Sequence, residues 1–201
     1  MRMICIMNLS AMHNINTQLF LVIHQLAGRS STADAFLIFI TTTLTSVVLV
    51  GVGIYIAIYL PICTTDPIKR MKRFARSGEV VLGLFFTWLV TLCIKVLVAY
   101  PRPFETIASI TPLVTAASRQ SFPSAHAALT MALATFVYLH YRRLGSLLFV
   151  FAFMVGMSRI YVGVHYPLDV GVGFLIGFGI VKLLHQIFDP SIRTNKSQPV
   201  N

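Results

Sequence analysis

The chain has 201 residues, of which 56% are hydrophobic and 11% charged, whereas about a quarter of the residues in a soluble globular domain are charged. This composition excludes an ordinary soluble enzyme and indicates a single domain that lies in a lipid bilayer. The net charge of +10, from 16 Lys and Arg against 6 acidic residues, does not indicate nucleic acid binding, because the basic residues lie in short segments between apolar runs.

The N-terminal part of the chain predicts a surface helix. Residues 16–28, NTQLFLVIHQLAG, are amphipathic and too short to cross a hydrocarbon core, which needs about 20 helical residues, so we expect an interfacial helix. His24 on this helix is interpreted as an interfacial polar residue. The residues before it have no convincing cleavage site, and we predict no removable signal peptide. A marginal extra span within residues 1–30 is the alternative.

The first predicted span follows a helix start signal. Ser31 and Asp34 form a variant of the capping box, which marks the beginning of a helix. Residues 35–60 are uncharged and long enough to cross a bilayer with some tilt. Pro61 is predicted to end this span, because proline disrupts a helix interior.

A basic segment separates the first span from the second. Residues 64–78, TTDPIKRMKRFARSG, are predicted to be a short loop, which the positive-inside rule places in the cytoplasm. The second span covers residues 79–100, and Pro101 and Pro103 close it. The polar segment that follows is therefore predicted to lie at the outer face.

Three further spans complete the predicted bundle. The third begins at Pro123, a residue type favoured at the first helical position, and ends at residues 141–143, YRR. The fourth covers residues 145–164 and the fifth residues 167–188, before a tail that contains Arg193 and Lys196. We predict an all-α membrane bundle of five spans, or six with the extra N-terminal one, in a single domain over residues 1–201.

Two residue types carry no chemistry in this interpretation. The fifth span contains four glycines at spacings typical of close helix packing, namely Gly171, Gly173, Gly177 and Gly179. The three cysteines, Cys5, Cys63 and Cys93, are scattered and odd in number, so they predict neither a disulfide framework nor a zinc site.

Ionisable residues at the span ends are the candidate functional groups, since such residues are costly in lipid. The predicted topology brings six of them to the outer face: Lys95, Arg102, His126, Arg159, His165 and Asp169. A lysine near a span end often extends to the interface, which is the alternative for Lys95. Because Arg102 lies two helical turns further on, we favour a phosphate clamp formed by both cations.

Two further groups accompany this pair. In SFPSAH, residues 121–126, a helix beginning at Pro123 would leave the amides of Ser124, Ala125 and His126 free to bind an anion; the alternative is a plain helix start. In SRIYVGVHYPLD, residues 158–169, the spacing of His165 and Asp169 suits a carboxylate that holds one imidazole nitrogen and leaves the other as a nucleophile.

These three groups, in this order, resemble the three-part signature of the type 2 phosphatidic acid phosphatase superfamily. The matching residues lie in segments 95–103, 123–126 and 158–169, within the last two-thirds of the chain. Ala125 departs from the pattern, because the family usually has glycine there. The resemblance implies a membrane enzyme that removes phosphate from a lipid.

The resemblance also implies a role for each residue. His165 would be the nucleophile that forms a phosphohistidine, Asp169 would orient it, and His126 would protonate the leaving group and later activate water. The phosphoryl oxygens would be bound by Lys95, Arg102, Ser124, the Ala125 amide and Arg159. No metal and no other cofactor is implied at this site. Arg119 and Glu105 lie outside the signature, and Arg119 is interpreted as a contact for lipid headgroups.

The N-terminal residues resemble those of bacterial undecaprenyl-diphosphatases. The features in common are Asn16, Leu19, Phe20, Ile23, residues 26–28 and Asp34. This resemblance implies undecaprenyl diphosphate as the substrate, and the predicted topology places its hydrolysis at the outer face of the cytoplasmic membrane.

Other interpretations remain open. The alternative substrates are phosphatidylglycerophosphate, phosphatidic acid and lipid A phosphate. The alternative classes are a non-catalytic phospholipid carrier and a vanadate-using haloperoxidase. The sequence makes no prediction about the oligomeric state.

Overall fold

The structure, a computed structural model, describes residues 14–116 and 118–188, apart from the side chain of Leu60. The predictions for Cys5, for the residues before the first helix and for the basic tail with Arg193 and Lys196 lie outside this part. Within it the chain forms helices joined by loops, with one isolated bridge between Pro101 and Gln120. The predicted all-α membrane bundle is confirmed.

The first helix, α1, covers residues 14–24 and is followed by turns. Its Phe20 is fully buried against Tyr166, with ring centroids 5.4 Å apart. Nδ1 of His24 lies 2.8 Å from the carbonyl oxygen of Tyr161. One face of α1 therefore packs against the protein, and its location at the membrane interface stays a prediction.

Helix α2, Ser31–Tyr59, is long and apolar enough to cross a bilayer. It contains two π-helical segments, Ile40–Leu44 and Tyr55–Tyr59. The predicted start is one residue late, because Ser30 is the N-cap and accepts a hydrogen bond from the Ala33 amide at 3.4 Å. The carboxylate of Asp34 instead accepts from the amide of Gly28 at 3.1 Å.

The span that Pro61 is predicted to end finishes two residues before it, at Tyr59. The chain continues into a helical turn, Leu60–Ile62, in which Pro61 lies at the start. Proline is tolerated there because the first turn of a helix needs no amide donor from it.

Helix α3, Pro67–Val98, is 32 residues long, and two predictions about this part of the chain are wrong. The basic segment 64–78 is not a loop but mainly the first turns of this helix, and the span does not begin at residue 79. The start is set by Asp66, whose carboxylate accepts from the amides of Ile68 and Lys69 at 2.9 and 3.2 Å, and by Pro67 at the first helical position. The helix ends at Ala99, which adopts a left-handed conformation with φ 46°.

The remaining helices are α4, Pro103–Thr106; α5, Ala125–His140; α6, Arg142–Tyr161; and α7, Pro167–Phe188. The predicted first residue of α7 is correct. The prediction that Pro123 begins the third span is wrong, because Ser124 is the N-cap and Ala125 the first helical residue. Serine in an extended conformation is a preferred N-cap, so the helix starts after it.

Helix α5 is the centre of the bundle. Every residue from Thr130 to Val137 is buried, and α5 packs against α3, α6 and α7. Because α5 has only 16 residues, it is shorter than the about 20 that a span needs, whereas α2, α3, α6 and α7 are long enough. The burial of residues 130–137 shows that neighbouring helices, rather than lipid, cover most of the surface of α5.

Two glycines of α7 allow it to approach α5 closely. A Cβ atom on Gly173 would lie 2.6 Å from the Ser124 carbonyl oxygen, and one on Gly177 would lie 2.1 Å from that of Ala128. Gly171 and Gly179 meet no such neighbour. The packing role predicted for the glycines is confirmed for Gly173 and Gly177 and wrong for the other two.

Candidate active site

The C-terminal ends of α3 and α6 and the N-terminal ends of α5 and α7 meet at one end of the bundle, which we call the polar end. There the Ser124 amide donates to the Asp169 carbonyl oxygen at 3.0 Å, which joins the starts of α5 and α7. The Val164 amide donates to the Arg159 carbonyl oxygen at 3.3 Å and turns the chain from α6 towards α7. The backbone thus brings segments distant in sequence to one place.

Lys95 lies one turn before the end of α3, and its side chain points into the polar end. Its Nζ donates to the carbonyl oxygens of Gln120 and Ser121 at 3.1 and 3.3 Å. The residue is only 9% exposed. Lys95 is thus held by the loop before α5, and the interpretation of an ammonium group extending into the interface does not apply.

Arg102 connects the loop after α3 to the loop after α6. Its Nε donates to the Ser118 carbonyl oxygen at 2.7 Å, and its Nη1 donates to the Val164 carbonyl oxygen at 2.7 Å. Glu105, to which the sequence assigned no role, accepts from the Arg102 amide at 3.2 Å and stabilises the start of α4. The guanidinium of Arg102 is therefore buried and held by neutral oxygen atoms rather than by a carboxylate.

Arg159 comes from the last turn of α6 and is 5% exposed. Its Nη1 donates to the hydroxyl of Thr41 at 2.9 Å, and Thr41 lies on the first π-helical segment of α2. The Nε of Arg159 and the hydroxyl of Ser124 are buried and have no hydrogen-bond partner among the described residues. Both are donors whose burial is costly unless an acceptor meets them.

His165, the nucleophile expected from the sequence, lies just before α7. Its Nδ1 is 3.5 Å from Oδ2 of Asp169 and 3.4 Å from the hydroxyl of Ser121. The 3.5 Å distance is longer than a normal hydrogen bond of about 2.7–3.2 Å. Ser121 also donates a short hydrogen bond to Asp169, so the hydroxyl lies between the two predicted partners.

Asp169 is held in place by the start of its own helix. Its Oδ2 accepts from the amide of Tyr166 at 2.8 Å, as a carboxylate in the first turn of a helix can do. The ring of Tyr166 is buried, and its hydroxyl lies 2.7 Å from that of Thr106. The His165 and Asp169 side chains are therefore both placed by the turn that begins α7.

The start of α5 contributes the third group. Ser124 is fully buried, whereas Ala125 and His126 are partly exposed. The prediction that the Ser124 amide is free for an anion is wrong, because that amide already donates to Asp169. Its hydroxyl, by contrast, is the unpaired donor described above.

The positive charges of the polar end act together on His165. Burial lowers the pKa of His165 well below its ordinary value, and the charges of Arg159, Arg102 and Lys95 lower this pKa further, followed by His126. The neutral imidazole is therefore the resting form near pH 7. Since Nδ1 faces Ser121 and Asp169, Nε2 is the nitrogen left for chemistry.

The charges at the polar end do not balance. Three buried cations lie near one carboxylate, Asp169, and among residues 14–116 and 118–188 none of these cations forms an ion pair. Each instead donates to neutral oxygen atoms. Because an isolated buried charge is costly, this arrangement is suited to binding an anion with several oxygen atoms.

Several residues of the polar end were not predicted. Ser121 is the first residue of the segment 121–126 and received no role, although its position next to the helix start was an available signal. Thr41 and Ser118 carried no signal, because a lone threonine in an apolar span and a serine in a polar loop are both common. Arg119, which the sequence analysis left outside the signature, is exposed.

The fold defines a multi-pass membrane protein, and its polar end holds three buried cations near a buried histidine. The family model described as "PAP2 superfamily" matches residues 77–193, which include every predicted site residue. The chain belongs to this superfamily and, within it, to the membrane lipid phosphatases.

Individual relatives agree with this assignment. The chain is 31% identical over 169 residues to undecaprenyl-diphosphatase BcrC of Bacillus subtilis (strain 168), covering 82% of this chain and 81% of that protein. The crystal structure of Aquifex aeolicus LpxE superimposes with a TM-score of 0.70 at 26% identity, over 86% of this chain and 95% of the other.

The same fold is present in a second solved structure. The PAP2 type phosphatidylglycerolphosphate phosphatase from Bacillus subtilis gives a TM-score of 0.68 at 21% identity, over 95% of this chain and 90% of that one. The resemblance to the superfamily and to undecaprenyl-diphosphatases, stated from the motifs, is confirmed.

Proposed function

We propose that this protein hydrolyses undecaprenyl diphosphate at the outer face of the cytoplasmic membrane through a phosphohistidine on His165. The observation that carries the proposal is the cluster of three buried cations, held by neutral oxygen atoms, around a neutral histidine. The substrate is supported by the name of the Bacillus subtilis relative, which matches four-fifths of the chain.

The terminal phosphoryl group would occupy the space between the three cations. Lys95, Arg102 and Arg159 would balance its negative charge, and the Ser124 hydroxyl and Arg159 Nε, both without partners among the described residues, would donate to its oxygen atoms. Such preorganised donors stabilise the charge that spreads over the equatorial oxygen atoms in the transition state. The Ala125 amide is the remaining proposed donor.

In the first chemical step, Nε2 of His165 forms a bond to the terminal phosphorus atom while the bond from phosphorus to the bridging oxygen breaks. The electron pair of the broken bond stays with the leaving undecaprenyl phosphate. His126, which would be protonated in the complex with the anionic substrate, would give its proton to the new phosphate oxygen and become neutral. Asp169, through Nδ1 of His165 and with Ser121 beside it, would stabilise the positive charge that the phosphorylated imidazole acquires.

In the second step, water replaces the histidine. His126, now neutral, would accept a proton from a water molecule as its oxygen atom bonds to phosphorus, and the bond between phosphorus and Nε2 would break. Inorganic phosphate leaves, and His165 returns to its neutral form. In this proposal the ammonium and guanidinium groups supply the positive charge that a metal ion supplies in other phosphoryl transfer enzymes.

The proposed location follows from the charge distribution. The basic first turns of α3 lie far along the helix from Lys95, and basic residues near span ends favour the cytoplasmic side. The polar end would then face outwards, where undecaprenyl diphosphate is exposed.

Relative rates on a panel of purified lipids test the substrate. In detergent, undecaprenyl diphosphate should give a higher kcat/KM for phosphate release than phosphatidylglycerophosphate, phosphatidic acid or lipid A phosphate. A clear preference for any of the other three would replace the proposed substrate while keeping the reaction class.

The His165→Ala variant tests the reaction itself. Loss of the nucleophile should lower phosphate release by about 10³-fold or more, since residues that act as a unit have large individual effects. Lys182→Gln, a change on α7 away from the polar end, is the control for effects of expression and purification. Near-normal turnover by His165→Ala would contradict the mechanism, and lipid movement without phosphate release would favour a carrier.

A further inference from the structure

A second cluster of ionisable side chains lies at the end of the bundle opposite the polar end, and we call it the Glu–His cluster. It consists of Glu79 on α3, His140 at the end of α5 and His185 near the end of α7. Nδ1 of His185 is 2.9 Å from Oε1 of Glu79, and Nε2 of His140 is 3.8 Å from Oε2. The proposed phosphatase reaction uses none of these residues.

The cluster joins the same three helices that carry groups of the polar end. Along α3, Glu79 precedes Lys95 by 16 residues, and along α7, His185 follows Asp169 by 16 residues, which at about 1.5 Å per residue is about 24 Å in each case. Along α5, His140 follows His126 by 14 residues, or about 21 Å. The three residues therefore lie at a common level.

The three side chains are largely removed from water. Glu79 is 6% exposed, and the side chains of His140 and His185 are 7% and 16% exposed. A carboxylate buried to this extent requires a positive partner close by. A protonated imidazole, a basic side chain of the neighbouring cavity or a metal ion can supply the positive charge.

The hydrogen bond of His140 leaves Nε2 as the nitrogen that faces Glu79, which suits a metal ligand as well as an imidazolium. Its Nδ1 lies 3.1 Å from the Phe136 carbonyl oxygen, which can only accept, so the ring proton is on Nδ1. In the neutral ring Nε2 is then an acceptor, and it faces another acceptor, Oε2 of Glu79. A histidine whose second nitrogen donates to a backbone carbonyl is the usual arrangement of a metal ligand.

The spacing of the ligand atoms fits a small divalent ion. One ligand atom from each residue lies within 4.8 Å of the others. Around a tetrahedral ion with metal–ligand distances of about 2.0–2.2 Å, neighbouring ligand atoms lie about 3.4 Å apart, so rotamer adjustments are sufficient. Two imidazoles and one carboxylate suit Zn²⁺, whereas Mg²⁺ and Ca²⁺ prefer oxygen ligands alone.

A cavity adjoins the cluster and leaves room for a further ligand. It has a volume of about 480 Å³ and is lined by all three residues of the cluster together with Lys72, Arg76 and others. The two basic side chains disfavour a free cation in the cavity itself. They favour an anion or a hydroxide as the fourth ligand of an ion held by the cluster.

We propose that Glu79, His140 and His185 bind one divalent transition-metal ion, with Zn²⁺ as the best fit, at the end of the bundle opposite the polar end. The ion would connect α3, α5 and α7 and keep its fourth coordination position open to the cavity. Its role would be to hold these helices in register rather than to take part in phosphoryl transfer.

Titration with Co²⁺ tests the site directly, because tetrahedral Co²⁺ has characteristic visible absorption bands. The purified full-length protein, without an affinity tag that binds metals and after treatment with a chelator, should bind one Co²⁺ per chain with these bands. Addition of Zn²⁺ should remove the bands. Wild-type protein that shows no bands and no binding would overturn the proposal.

Three variants locate the site. Glu79→Gln and His185→Gln should each weaken Co²⁺ binding at least tenfold, whereas His126→Gln, which removes an imidazole at the polar end, should bind Co²⁺ like the wild type. Unchanged binding by both of the first two variants would overturn the proposal. Because His185 lies near the end of α7 and is the most exposed of the three, its variant remains informative if Glu79→Gln does not fold.

Thermal unfolding gives a second measurement. Zn²⁺ should raise the Tm of the wild type and of His165→Ala but not that of His185→Gln, because a ligand that binds the folded state stabilises it. A rise of equal size in His185→Gln would assign the effect to another site. Failure of this proposal would leave the phosphatase proposal intact, since the two use different residues.

Discussion

The two ends of the bundle contain buried charge in opposite arrangements. At the polar end, Lys95, Arg102 and Arg159 donate to neutral oxygen atoms and leave an excess of positive charge. At the other end, Glu79 lies between two imidazoles that can each carry a proton or a metal ion. An excess of fixed cations is suited to an anionic ligand, whereas a carboxylate between imidazoles is suited to a cation.

The two arrangements of charge lie at different levels along the same three helices, α3, α5 and α7. The ends of α3, α5 and α7 at the polar end carry proposed chemical groups. The Glu–His cluster lies further along the same helices, within α3 at Glu79 and at or near the C-terminal ends of α5 and α7. Changes at the polar end should therefore alter turnover without altering metal binding.

After loss of the proposed nucleophile, the largest expected effect is that of His126→Gln. Loss of a general acid and base lowers rates by about 10²–10⁴-fold. The loss in phosphoenzyme formation should be smaller for undecaprenyl diphosphate than for phosphatidic acid, because a phosphate leaving group needs a proton less than an alcohol does. Rapid-quench kinetics on both lipids measure this step. Equal losses for both would contradict His126 as the acid.

Arg159→Gln should lower kcat/KM by about 10²–10³-fold, the cost of removing one transition-state donor. It should also shift the pH profile. The charge of Arg159 lowers the pKa of His165, so this proposed nucleophile stays neutral to low pH in the wild type. Without this charge the pKa rises, and the acid limb of kcat/KM should move to higher pH. The acid limb of kcat/KM should not move in the control variant Lys182→Gln. If it does not move in Arg159→Gln either, Arg159 does not lower the pKa of His165 as we infer.

Gly177→Ala tests the packing that connects the two ends. A Cβ atom 2.1 Å from the Ala128 carbonyl oxygen forces α7 away from α5, and overpacking costs about 1–3 kcal/mol. Gly179→Ala on the same helix meets no neighbour and should be neutral or more stable, by up to about 1 kcal/mol. Unfolding in detergent compares the two. Equal stability would show that the close approach is not needed.

The smallest expected effect is that of Thr41→Val. The change removes the hydroxyl that accepts from Arg159. We expect kcat/KM to fall about tenfold, which corresponds to the lower end of the about 1.5–3 kcal/mol that a hydrogen bond to a charged group contributes. Thr42→Val is the matched control, because the Thr42 hydroxyl donates to the Ile38 carbonyl oxygen of its own helix. A similar loss in both variants would assign the effect to α2 itself.

The elements that local signals determine were predictable. Pro167 begins α7 as expected, since proline is favoured at the first helical position, and the charged residues at the span ends reveal the candidate site. The prediction failed where two local signals disagreed. Asp66 and Pro67 start α3 before the basic residues, which the positive-inside rule alone had assigned to a loop.

Contacts between distant residues were not predictable. Thr41 precedes Arg159 by 118 positions, and no local pattern relates them. The Glu–His cluster comes from three helices, with 106 positions between Glu79 and His185, so no ligand spacing appears in the sequence. Such groups depend on helix packing, which a single sequence does not specify at the level of side chains.

The most direct test of the central claim is to locate the phosphoryl group on the enzyme. With undecaprenyl diphosphate labelled in its terminal phosphate, rapid quenching should give an acid-labile, base-stable label on the peptide that contains His165. The label should be absent from His165→Ala. Full turnover with no label on wild-type His165, or an undiminished label in His165→Ala, would contradict the account.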